Sequence, residues 1–81
     1  MSKREFPGFE AWSSAEMNGD HALAFVAVRE HGLTSETQYH LVCHQTCFKL
    51  LSDAASAAER ALSKVLSIDR YGTPTFSSPE Y

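Results

Sequence analysis

Apolar positions along the chain follow three different spacings, and each predicts a different element. Residues 22–28 form a short apolar run with β-branched residues toward its end, bounded by Gly19 and Gly32. That pattern predicts a central strand buried on both faces. Ahead of it, Asn18-Gly19 favours a type I′ hairpin turn, because both residues tolerate positive φ, so residues 12–17 read as the first hairpin arm. Residues 37–44 return to a β-rich composition. Strand alternation places Tyr39, Leu41 and Cys43 on a core-facing side and His40, Val42 and His44 on the other.

From Phe48 the period changes. Phe48, Leu51, Ala55, Ala58, Leu62, Val65 and Leu66 recur at spacings of three and four, which predicts one amphipathic helix over residues 48–66 with Thr46 as its N-cap. Ser52-Asp53 offers an alternative cap that would divide a short turn from the main helix. Lys49, Asp53, Arg60 and Lys64 fall opposite the apolar stripe. Beyond the helix, Gly72 suits a turn and residues 73–76 a closing strand, which Pro74 confines to a sheet edge because it has no amide donor. Residues 1–8 and 77–81 read as frayed tails. The expected fold is a single α+β domain over residues 1–81. It comprises a three-stranded antiparallel meander, one amphipathic helix and a short closing edge strand, arranged as a two-layer sandwich.

Composition narrows the function classes. The 81 residues are 43% hydrophobic and 21% charged, which is globular and large enough for one core only. The net charge of −3 supplies no global field toward nucleic acid. The N-terminal residues carry no signal-peptide pattern, and the longest apolar run is far short of the ~20 residues of a membrane helix. A soluble, cytoplasmic protein with no membrane partner is therefore expected. Cys43 and Cys47 lie about 13 Å apart if the intervening chain is extended, which is too far for a disulfide and fits free thiols in a reducing compartment.

Phe6-Pro7 followed by Trp12, then Phe25 and Ala27 in a strand, Gly32, Cys43 late in the next strand and an Asp69-x-x-Gly72 turn form a familiar series. In these residues the chain resembles the small bacterial family catalogued as protein of unknown function 1488. The resemblance implies a layered α+β fold and brings no activity or catalytic residue with it. Members of that family have a longer helical region after the third strand. In size, charge and architecture the chain is also similar to small phage-encoded inhibitors such as anti-CRISPR proteins.

Among groups that could carry chemistry, His40, Cys43, His44 and Cys47 are of zinc-ligand type. On a strand they neither share a face nor lie close enough to gather round one ion, so no metal or other cofactor is expected. The same alternation separates Cys43 from His44 as a nucleophile and base. An 81-residue sandwich leaves little space for a deep pocket, so no small-molecule substrate and no enzymatic activity are expected. Nine aromatic residues exceed what one helix and one sheet readily bury. Phe6, Phe9, Trp12, Tyr71 and Phe76 are therefore the candidate protein contacts, with closure of the open sheet face by Phe6, Phe9 and Phe76 as the structural alternative. The expected function is non-catalytic protein–protein contact, by homodimer formation or by docking on a larger bacterial or phage assembly as an inhibitor of the anti-CRISPR type does. Nucleic-acid binding through Lys49, Arg60 and Lys64, aided by Lys3, Arg4 or Arg29, is the alternative.

Overall fold

The computed structural model describes residues 3–32, 36–43 and 46–77. Strands β1 (Lys3–Phe6), β2 (Phe9–Asn18), β3 (His21–Glu30) and β4 (Gln38–Val42) form one antiparallel sheet in sequential order. Helix α1 (Leu51–Ser63) follows, and β5 (Val65–Ile68) and β6 (Pro74–Phe76) then pair as a separate two-stranded sheet. The expected meander of three strands is thus one of four, and the closing strand joins a hairpin of its own.

Two tight turns set the register. Phe6 pairs with Phe9 across Pro7-Gly8, and φ of +81° at Gly8 after proline matches a type II turn. Lys3–Phe6, read from sequence as tail, becomes edge strand β1 through this turn. At the next turn Asn18 pairs with His21, so Gly19 and Asp20 are the central residues. Only Gly19 has positive φ there, which is the signature of type II′ rather than the expected type I′.

The register then puts Ala11, Ser13 and Ala15 of β2 beside Val28, Val26 and Ala24 of β3 on one face. Helix α1 lies on that face with Ala54, Ala57, Ala58, Ala61 and Leu62 turned inward. Most of these contacts are alanine against alanine or valine, and the largest fully buried side chains are Leu62, Val26, Val28, Val42 and Val65. Two polar contacts fasten the layers. Ser13 Oγ donates to Glu59 Oε1 at 2.8 Å. Arg4, on the same face of β1, donates from one guanidinium nitrogen to the carbonyls of Leu62 and Val65, both at 2.8 Å. It thereby satisfies an orphan carbonyl at the helix C-terminus, where positive charge is favoured.

Three sequence expectations fail here for tertiary reasons. Phe48 is not helical, because its carbonyl accepts from Ala22 N at 2.7 Å as an isolated β-bridge. Helix α1 therefore starts at Leu51, with Leu50 as a cap that makes no side-chain bond, and Thr46 instead donates its amide to Cys43 O. Val65 leaves the helical stripe because it pairs with Phe76. The faces of β4 are inverted: Val42 is buried against the helix layer, while Tyr39 is 58% and Leu41 44% exposed on the far side. The helix packs on β2 and β3, so the facing of β4 follows from its register with β3, which sets Val42 beside Ala24 in the core cluster against which Phe48 packs.

The second sheet is tied to the first by side chains. Asp69 Oδ1 accepts from the amides of Tyr71 and Thr73, closing the β5–β6 turn. Gln38 Nε2 donates to Tyr71 O at 3.2 Å. This contact depends on Gly72, where a Cβ would stand 2.9 Å from that same nitrogen.

Two substitutions test this packing. Leu62→Ala should cost about 3 kcal/mol of unfolding free energy, since the side chain is fully buried. Arg4→Met, which keeps the stem and removes the donors, should cost about 1–3 kcal/mol. Urea denaturation monitored by circular dichroism measures both, and an Arg4→Met protein as stable as the parent would show that the helix-end contact contributes nothing.

Candidate functional site: the helix-free sheet face

One helix covers one face. On the opposite face the pairing aligns Trp12, Ala27 and Tyr39 in one row, Ser14, Phe25 and Leu41 in the next, and Glu16 with Leu23 in a third. Ala27 is fully buried between its larger neighbours, and Phe25 meets Tyr39 edge-to-face at 6.0 Å between ring centroids. Trp12, Leu23 and Phe25 are half-buried by these lateral contacts alone. The strand at 22–28 was expected to be covered on both sides, but no described element lies over this face.

Beyond the apolar rows the face ends in a charged network. Glu10 pairs across the strands with Arg29 on one side and Glu5 on the other. Its carboxylate is nearly buried and accepts from Arg29 through one oxygen, while the other lies 3.0 Å from Lys3 Nζ. His31 Nε2 stands 2.8 Å from Glu5 and 3.7 Å from Glu10. The Arg29 guanidinium also sits 5.9 Å from the centroid of the Trp12 ring. The hydrogen bond from Lys3 holds the Glu10 carboxyl below the usual carboxylate range, with the charges of Arg29 and Lys3 adding to it against the cost of burial. The same bond holds the Lys3 ammonium above its ordinary value.

Glu5, Glu10 and His31 bring ligand-type atoms within 4.8 Å of one another. Both oxygens of Glu10 are already engaged by cations, so a metal ion entering there would have to displace an ammonium or a guanidinium. The arrangement is an ion-pair network in its own right.

The five aromatics expected at a contact divide. Trp12 lies on the helix-free face, and Tyr71 is 69% exposed at the β5–β6 turn under the Arg70 guanidinium. Phe9 is buried in the helix-side core, and Phe6 and Phe76 pack against it half-buried. None of these three closes the open face. Of the expected phosphate ligands, Arg60 and Lys64 are exposed one turn apart, whereas Lys49 lies before the helix at its other end. Lys3, Arg4 and Arg29 are all engaged within the protein.

His40 turns toward the helix layer, where its Nε2 is buried without a hydrogen-bond partner, and His44 lies outside the described residues. Cys43, with φ of +54°, ends the strand, so the extended geometry used to separate it from Cys47 does not apply. Neither forms a disulfide. Sequence reasoning missed Leu23, Phe25, Tyr39 and Leu41 as a shared surface. The available signal was the small-residue series Ala22, Ala24, Val26 and Val28 on the other side of the same strand. The charged network was missed because Lys3 and Glu5 were assigned to a tail.

Protein-family models, curated proteins and solved structures contain no match to this chain. No helix among the described residues is long and apolar enough to cross a membrane.

The shift at Glu10 sets a pH dependence. Its folded value lies below its unfolded one, so its contribution is complete above the unfolded carboxyl range near pH ~4.3 and is lost as pH falls through the folded value. Glu10→Gln should therefore be less stable than the parent at neutral pH, and the gap should close in denaturation curves taken at successively lower pH. A gap independent of pH would assign the effect to packing rather than charge.

Proposed function

We propose that this protein is a non-catalytic protein-binding module that acts through the helix-free face of its four-stranded sheet, and that the partner seated there is a second copy of the same chain. The observation that carries this reading is the exposure of Tyr39 and Leu41 in continuous rows with Trp12, Phe25 and Leu23 on a face over which no other element lies among the described residues. Aromatic residues on such a surface are the groups that dominate interface energies.

Area, shape and charge favour a second copy. Four strands spaced ~4.8 Å apart and roughly seven residues of ~3.3 Å each give a face of about 450 Å². Two such faces remove at least about 900 Å² in projection, and side-chain relief raises this past the ~1,000 Å² expected of a specific interface. Phe25 and Tyr39 meet across β3 and β4 at the middle of the face, with Tyr39 the more exposed of the two. A two-fold axis that reverses the strands sets this aromatic patch against its own copy, an isologous contact. The same operation brings Glu16 of one copy toward the Lys3, Arg29 and His31 end of the other. Nucleic acid is a poorer occupant, because Glu10 engages both strong cations of this face. The free thiols fit a reducing compartment such as the cytoplasm.

Light scattering across a concentration series should show a dimer for the parent protein. Tyr39→Glu and Phe25→Glu should each shift the population to monomer by a factor of about ten or more. The unfolding midpoint of Tyr39→Glu at low concentration should be nearly unchanged, because the side chain is mostly exposed in the single chain. A parent protein that remains monomeric up to about 1 mM would remove the second copy as occupant.

A further inference from the structure

The β5–β6 hairpin and the end of the main sheet enclose a cavity of about 380 Å³, on the side of the sheet away from the aromatic face. Phe9 and Val28 lie at its base, almost wholly covered by the core, and Glu30, Glu36, Arg70 and the exposed Tyr71 ring stand round it. The volume lies at the small end of the ~300–1,000 Å³ range of small-molecule sites.

The walls are fixed before any ligand arrives. Asp69 holds the turn that carries Arg70 and Tyr71 by accepting from two of its backbone amides. Gln38, which also lines the cavity, joins β4 to that turn through Tyr71 O and is able to pass because residue 72 is glycine. Charge distinguishes this place from the aromatic face. On the aromatic face Lys3, Glu10 and Arg29 satisfy one another, whereas among the described residues Glu30, Glu36 and Arg70 take part in no ion pair. The guanidinium of Arg70 rests on the Tyr71 ring at 5.1 Å from its centroid.

Two carboxylates, one guanidinium and an exposed tyrosine ring around one small cavity specify a ligand. We propose that the cavity binds a small zwitterion of the α-amino-acid class. Its ammonium is taken by Glu30 and Glu36, its carboxylate by Arg70, and its apolar side chain lies against the Tyr71 ring. Each charge contact is a charge-assisted hydrogen bond, and removing one should weaken binding about tenfold. The site does not depend on the dimer, since its lining faces away from the proposed interface.

The test titrates the full chain with L-phenylalanine, phenethylamine and hydrocinnamate, following amide proton–nitrogen correlation spectra. L-Phenylalanine should give saturable shifts at Phe9, Gln38 and Tyr71, phenethylamine should bind about tenfold more weakly, and hydrocinnamate should bind weakest because it meets two carboxylates without an ammonium. Glu30→Gln combined with Glu36→Gln should weaken L-phenylalanine about a hundredfold. Arg70→Ala should make L-phenylalanine and phenethylamine equivalent. These side chains are exposed, so unchanged spectra elsewhere will show that the variants fold. Absence of saturable shifts with L-phenylalanine at about 10 mM overturns the proposal, as does hydrocinnamate binding as tightly or carboxamide variants binding as well as the parent.

Discussion

The structure depends on how closely α1 approaches the sheet. Ala54, Ala57, Ala58 and Ala61 meet Ala11, Ala22, Ala24 and the valines of β3, so backbones come near and little volume is left between them. Dispersion contacts summed over such a surface replace the burial of a few large side chains. The cost of this design is space: an aromatic ring does not fit in the middle of the layer. Phe9, Phe6 and Phe76 are accommodated at its margin, and the remaining large residues of β2, β3 and β4 are directed to the other face by strand alternation.

A narrow core on one side and an apolar face on the other are therefore one feature. Polar contacts keep the layers in position: Ser13 with Glu59 within the alanine interface, and Arg4 across the end of the helix. Arg4 shows why counting basic residues misleads in a chain of this size. It reads as a free cation near a terminus, yet it is committed to two carbonyls, and Lys3 and Arg29 are committed to Glu10. What remains for a partner on the sheet face is flat, aromatic and close to neutral, which suits protein and repels few protein surfaces. The charges left available lie elsewhere, around the cavity and at Arg60 and Lys64 toward the end of the helix.

The elements legible in the sequence were those whose pattern is local. The β3 run, the hairpin ahead of it and the alanine-rich helix follow from composition, period and one glycine turn. Features decided by distant partners were not legible. Phe48 has the spacing of a helical residue and is held extended by Ala22, and Val65 fits the same stripe and is drawn into a hairpin by Phe76. The inversion of β4 has a similar origin, since which of Tyr39 and Val42 faces inward is decided by the register with β3, where Val42 pairs with buried-side Ala24 and Tyr39 with Ala27. The cavity had no local signature at all, because its walls come from β2, β3, the start of β4 and the β5–β6 turn.

Strand β3 places the two surfaces back to back. Val28 and Glu30 line the cavity, while Ala27 and Arg29 belong to the aromatic face, so neighbouring residues serve opposite sides. Such closeness invites the idea that occupancy of one surface alters the other. Coupling, however, needs an element with two arrangements that both sites bias. β3 is paired along both edges, with β2 and with β4, and its inward side chains are held in the tightest part of the core. A strand so constrained has one arrangement. The two surfaces are accordingly independent in energy although they share a backbone, and a ligand in the cavity should leave self-association through the aromatic face unchanged.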